Sequence, residues 1–168
     1  AVIDAQPRQF SAEQRLALSD LSFLVTTALD ARKRSLDLER MASTDHLTGI
    51  ANRARFEASL QAELARARRT GTPVSLICLD LNGFKEVNDT HGHSAGDEVL
   101  VEVTRRIQQL VREGDTFARL GGDEFAIVIQ NARDNAVQSL LSRIAPTVAK
   151  PIQLSGGNRV QVTTSVGV

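Results

Sequence analysis

RLGGDEFAIVI, Arg119 to Ile129, is the stretch on which the rest of the chain turns. Gly121 and Gly122 interrupt an apolar run, and Asp123 and Glu124 follow at once. A glycine pair between two strand-like runs, Thr116 to Leu120 and Phe125 to Ile129, predicts a hairpin. Acids are poor strand formers, so two of them at the turn need a role. A third acid, Asp80, ends the almost wholly apolar run Val74 to Leu79, which reads as a central strand. With that strand beside the hairpin, Asp80, Asp123 and Glu124 converge on one edge. Carboxylates that close repel one another. A divalent cation removes the conflict, and Mg²⁺ (or Mn²⁺) suits oxygen ligands beside a phosphate-bearing substrate. Gly121 and Gly122, without side chains, let a large ligand approach the backbone. The competing reading is an acidic hairpin tip in water.

Working outward, STDHLTGIANR, Ser43 to Arg53, is a break between two helical patterns. After it, Phe56, Leu60 and Leu64 recur at helical spacing, and Gly71-Thr72-Pro73 stops the helix. Asn82 to Gly96 is a polar loop with a short helix near Phe84 to Val87. Ser94 is placed to cap a further helix that buries Leu100, Val103, Ile107, Leu110 and Val111, and Gly114 ends it. Asp97, three residues after Ser94, then has the place of a capping-box acid. A helix from Asp134 to Ala149, a turn at Gly156-Gly157-Asn158 and a strand from Arg159 to Val168 complete the order βαββαβ. That is the α+β, ferredoxin-like split arrangement, expected to carry its helices on one sheet face.

Upstream, Ser11 to Ser43 reads as one long helix capped by Ser11, with Leu18, Leu21, Val25, Ala28 and Leu29 as its apolar positions. Such a stripe asks for a partner: a helix from a second copy of the chain, or a domain on which it packs. Arg32-Lys33-Arg34 reads as a solvated face.

The composition narrows the class. Apolar residues are 42% of the 168, enough for a packed core, and 20 basic residues balance 20 acidic ones. That balance argues against a nucleic-acid polymer as partner. No apolar run approaches the roughly 20 residues of a membrane span. There is no signal-peptide pattern. The single cysteine, Cys78, reads as a buried strand residue, and one cysteine fits a reducing cytoplasm. The chain opens on AVID and closes on the strand VQVTTSVGV, so a fragment of a longer protein is expected.

Gly121-Gly122-Asp123-Glu124-Phe125 resembles the motif that names the GGDEF family, the diguanylate cyclases. DHLTGIANR is similar to the family's entry motif, and LDLNGFKEVNDTHGHSAGDEVL to its nucleotide-binding segment. The likeness runs in order from Thr44 to Val168, and it implies a palm-type catalytic domain over 44–168. It implies that two GTP molecules, one per protomer of a homodimer, become cyclic di-GMP. Asp80, Asp123 and the Leu81 carbonyl then resemble metal ligands, and Glu124 a metal ligand or the base that deprotonates the hydroxyl. Asn88 and Asp97 resemble the guanine readers, so two roles compete at Asp97. Phe84 and Lys85 lie where the family cradles phosphates, next to Gly121 and Gly122. Arg112-Glu113-Gly114-Asp115 is R-x-x-D, ending five residues before Gly121, a spacing that resembles the family's inhibitory product site, with Arg143 as a further member.

The chain departs from the family in two places. Asn82 stands where the family often has Asp. A helix beyond SVGV, whose Lys and Arg grip the triphosphate in the family, is not in this sequence. A GGDEF-like module that binds nucleotide without turnover is the alternative. His91 and His93 fit a structural loop better than a zinc site, which would need further ligands. Residues 1–43, from AVIDAQPRQF into the long helix, resemble the last strand and helix of a GAF sensor domain leading into a helical linker.

Overall fold

The computed structural model describes residues 10–130, 132 and 134–168, apart from the side chains of 34–41 and 134. The strand expected at AVID lies outside the described residues. The chain divides into two units, 1–40 and 41–168.

In the first unit, helix α1 (Ala12–Ser43) starts at a reciprocal cap. The Gln14 N–H donates to Ser11 Oγ, and the Ser11 N–H donates to Gln14 Oε1. These two bonds satisfy donors that a helix start leaves unpaired. Leu16, Leu21, Phe23, Leu24, Val25 and Leu29 are all exposed.

The second unit is built on a four-stranded antiparallel sheet. Its strands are β1 (Val74–Asn82), β2 (Thr116–Gly121), β3 (Glu124–Gln130) and, skipping a small hairpin, β6 (Thr163–Gly167). Their order is β2-β3-β1-β6. Helices α3 (Phe84–His91) and α4 (His93–Gln108) connect β1 to β2, and α5 (Asp134–Val148) leads from β3 towards β6. The fold is the expected ferredoxin-like one. The added hairpin, β4 (Ile152–Gln153) with β5 (Arg159–Val160), takes the start of what read as one strand from Arg159. Val160 and Val162 are both buried, so the chain leaves that hairpin before it joins β1.

Strand alternation explains the two faces. Ile77, Leu79 and Leu81 point into the main core with Phe117, Phe125, Ile127 and Ile129, against Val99, Val103, Ile107, Val137 and Ile144. Phe117 and Phe125 stack with ring centroids 5.7 Å apart. The expectation that helices cover one face only is corrected, because α2 (Arg53–Thr70) packs on the other face over β2 and β3. Ala118, Ala126 and Val128 are therefore buried as well. Over β1 and β6 that face stays open. Cys78, expected to be buried, is exposed there, because it alternates with Ile77 and Leu79 and shares a face with Asp80 and Asn82.

Local chemistry sets the other boundaries. β1 runs two residues past Asp80, because Thr163 and Thr164 pair with Asn82 and Leu81. Helix α4 starts at His93 after Gly92, so Ser94 lies inside the helix and does not cap it. It ends at Gln108, short of Gly114. Arg106 on α4 donates to the carbonyls of Thr147, Val148, Lys150 and Pro151. One guanidinium thus serves the unpaired carbonyls at the end of α5.

Candidate functional site

The hairpin turn is tighter than its glycine pair suggests. Gly121 is paired with Glu124, so Gly122 and Asp123 are the two residues of the turn. Gly122 has φ 52° and Gly121 φ 148°, values that L side chains adopt only with strain. The register shifts between Arg119 and Gly121, a bulge that re-aims the turn.

Glu124 stands directly opposite Asp80 on the neighbouring strand. Cross-strand partners share a face, with Cα atoms about 4.5–5.5 Å apart. Asp123 sits one residue earlier, at the tip. Of the three carboxylates expected to converge, two are set opposite each other, and the third, Asp123, is their neighbour in sequence at the tip. Among the described residues, no three His, Cys, Asp or Glu side chains form a ready metal-holding group. Mg²⁺ does not need one, since it is held by one or two carboxylates plus substrate phosphates and water. Among the described residues neither the Asp80 nor the Asp123 carboxylate has an ion pair. Two carboxylates on facing strand positions are oxygen ligands of the kind that suit a hard divalent cation. They border an open cleft of about 570 Å³ lined by Arg53, Cys78, Asp80, Leu120, Glu124 and Ser165, among others.

Next to this edge the chain enters α3. Gly83, at φ 83°, precedes the helix and offers no side-chain cap. The amides of Phe84 and Lys85 therefore open a helix with no cap of their own, the arrangement that receives anions. Asn88 follows one turn on, half-buried, and Asp97 is exposed near the start of α4. The capping-box role for Asp97 falls away with the cap at Ser94. Gly96, which the sequence reading passed over, joins the two helices. A Cβ there would lie 2.0 Å from Asn88 Oδ1 and 3.2 Å from Phe84 Cζ. The signal was available: a glycine inside a helical pattern costs about 1 kcal/mol against alanine, so its presence asks for a packing reason.

Arg112, Asp115 and Arg143 line one small cavity of about 40 Å³ between the α4–β2 loop and α5. Asp115 also accepts from the Gln130 N–H at 3.2 Å. The Arg112–Asp115 loop borders a second cleft of about 440 Å³ as well, whose other wall includes Gly49, Ile50, Ala51 and Arg55.

The break at STDHLTGIANR is more than a connector. Asp45 accepts from the Thr48 hydroxyl and N–H, at 2.6 and 2.9 Å, and pairs with Arg119 at 3.2 Å. Both side chains are largely buried, at 16% and 12% exposure. Burial pushes the Asp45 carboxyl up, but Thr48 and Arg119 outweigh it and its pKa lies below the usual carboxylate value. Arg119 Nε in turn donates to the Gly122 carbonyl at 2.9 Å. On the other side of the turn, Arg53 Nε donates to the Leu120 carbonyl at 3.1 Å. Two guanidinium groups thus bracket the turn that carries Asp123. Ala51 completes the clasp by exchanging backbone hydrogen bonds with Phe117 and Arg119 along the β2 edge. Single residues in a polar break gave no sign of these long-range partners.

Comparison with known proteins gives the family. The family model described as "Diguanylate cyclase, GGDEF domain" matches residues 42–168. The chain belongs to the GGDEF family. It is 39% identical over 124 residues to diguanylate cyclase DosC of Escherichia coli strain K12, covering 73% of this chain and 27% of DosC. It is 35% identical to the cyclic di-GMP phosphodiesterase NbdA of Pseudomonas aeruginosa, covering 93% of this chain and 20% of NbdA. Its fold superposes with a TM-score of 0.84 on the crystal structure of the coiled coil and GGDEF domain of DgcB from Caulobacter crescentus in complex with c-di-GMP. That match is at 30% identity and covers 90% of this chain and 81% of the other. The chain spans only a minor part of these two curated relatives. Among the described residues, no helix is long and apolar enough to cross a membrane.

Proposed function

We propose that this chain is a diguanylate cyclase domain, which condenses two GTP into cyclic di-GMP with release of two pyrophosphates. The observation that carries the reading is the Asp80–Glu124 pair beside Asp123, set next to the uncapped start of α3. Asp80, Asp123, Glu124 and the Leu81 carbonyl would hold Mg²⁺ or Mn²⁺. A cation bound there would lower the charge on the phosphates and the pKa of the attacking hydroxyl. The Phe84 and Lys85 amides receive phosphate, close to the bare backbone of Gly121 and Gly122. Asn88 and Asp97 read guanine, the carboxylate accepting from the base N–H groups. The 3′-oxygen of one GTP forms a bond to the α-phosphorus of the other, and the bond from that phosphorus to the pyrophosphate breaks. Glu124 is either a metal ligand or, in its alternative role, the base that takes the 3′-hydroxyl proton. A second, equivalent step closes the ring.

Each protomer holds one GTP, so the enzyme acts as a homodimer. The exposed apolar stripe of α1 supports helix pairing between copies. Residues 1–43 serve as the end of a GAF-like sensor and its linker, and 44–168 as the cyclase. Signal acts by shifting the population of dimer geometries. Arg112, Asp115 and Arg143 form the inhibitory site for cyclic di-GMP, as their shared cavity supports. The setting is the cytoplasm.

The test is chromatography of the purified protein after incubation with GTP and Mg²⁺, in which cyclic di-GMP is the expected product. The second reading, a nucleotide-binding regulatory module without turnover, draws on the similarity to NbdA, which is named a phosphodiesterase. GTP binding without product would favour it.

A further inference from the structure

Arg53 has two partners on the carboxylate hairpin. Its Nε donates to the Leu120 carbonyl at 3.1 Å, and its Nη2 lies 3.8 Å from Glu124 Oε2. Among the described residues, it is the one cation within ion-pair distance of Asp80, Asp123 or Glu124. Arg53, Asp80 and Glu124 line the same cleft. The pair is exposed, 57% and 58%, so it adds next to nothing to stability. Its effect is on the charge and position of Glu124.

The backbone of Arg53 is firmly placed. It is the first residue of α2, and Asn52 caps that helix by accepting from the Arg55 N–H. Asn52 Nδ2 also donates to the Ala42 and Thr44 carbonyls. The guanidinium therefore reaches the hairpin from an anchored root.

We propose that Arg53 is a positioning residue that trades metal affinity for turnover. The proposal rests on the reading of Asp80, Asp123 and Glu124 as metal ligands. The two contacts act in opposite directions. The charge of Arg53 repels an incoming cation and engages one Glu124 oxygen, which weakens metal binding. Its bond to Leu120, inside the bulge, holds the turn so that Asp123 and Glu124 keep their places relative to Asp80. Losing Arg53 therefore tightens metal binding and slows the chemistry. A merely structural residue would weaken both.

The test measures Mn²⁺ binding, through loss of the free-ion electron paramagnetic resonance signal, and cyclic di-GMP formation. It uses the parent, Arg53→Gln, Arg53→Lys and an Asp80→Asn control. Arg53→Gln is expected to bind Mn²⁺ about three- to tenfold more tightly, the effect of a unit charge several ångströms from a divalent ion in water-like surroundings. Its turnover is expected to fall by about tenfold or more. Arg53→Lys keeps parental Mn²⁺ affinity but not parental turnover, because an ammonium cannot hold both contacts in the guanidinium geometry. Unchanged or weaker Mn²⁺ binding by a folded Arg53→Gln overturns the proposal. If that variant does not fold, Arg53→Lys decides: parental turnover overturns the proposal. If the parent binds Mn²⁺ no better than Asp80→Asn, the metal reading itself fails, and the proposal with it.

Discussion

Gly96→Ala tests whether Asn88 and the α3–α4 junction form a binding site. The added Cβ would sit 2.0 Å from Asn88 Oδ1 and 2.9 Å from its Cγ, both closer than the 3.0 Å below which real Cβ atoms are essentially never found. The Asn88 side chain must swing away or the two helices must part. Overpacking of this kind costs about 1–3 kcal/mol. Alanine in place of helical glycine returns about 1 kcal/mol, so the net loss is about 0–2 kcal/mol and the melting temperature should fall by no more than several degrees. The site should suffer far more. On the proposed guanine reading, displacing Asn88 removes side-chain hydrogen bonds to the base worth about 1–3 kcal/mol, which corresponds to roughly a 5- to 150-fold rise in KM for GTP. The assay pairs thermal unfolding with the GTP dependence of product formation. A KM within twofold of the parent, in a protein of parental stability, would refute the placement of guanine against Asn88.

Asp123→Ala should reduce cyclic di-GMP formation by about a hundredfold or more while leaving the circular dichroism spectrum unchanged, and undiminished product would remove Asp123 from the metal site. Arg112→Ala should relieve inhibition by added cyclic di-GMP, and inhibition curves that overlay the parent's would refute the inhibitory-site reading. Glu102 pairs with Arg105 and Arg106 at 2.8 Å. The Arg105 hydrogen bond, aided by Arg106 and opposed by burial, holds its carboxyl at about 2. A depressed carboxyl stabilises the fold above its unfolded value of 4.5, and that contribution is lost as pH falls from 4.5 towards 2. With allowance for solvent screening it is worth about 1–2 kcal/mol, so Glu102→Gln should lower stability by that amount at pH 7. The variant's denaturation midpoint should then vary less than the parent's across that acid range, and parallel midpoints would count against the pairing.

How much was legible in the sequence follows from how local each signal is. Helix and strand periods, the hairpin glycines and the order βαββαβ are encoded within a few residues, and the order survives in the fold although the last strand is divided. Asp80 and Glu124 could be brought together on paper because the split arrangement makes β1 and β3 neighbours. The register that sets them opposite each other belongs to the pairing of β1 with β3, which no turn joins, so it is decided by packing. Cys78 shows where local reading fails. An apolar run looks the same whether one face of its strand is covered or both, and only the placement of α2 leaves Cys78 exposed. Ser94 fails differently, because Gly92 lets the chain enter α4 earlier.

The sequence by itself determined the elements, their order and the acids and glycines at the turn, because propensity and turn chemistry act between near neighbours. Only the tertiary structure decided that Arg53 and Arg119 bracket the turn from two sides, that Gly96 leaves room for Asn88, and that Arg112 and Arg143 share a cavity. The last two partners lie 31 positions apart by their numbers, and Arg53 lies 67 from Leu120. Contacts at such separation arise from packing geometry, which no local pattern of residues contains.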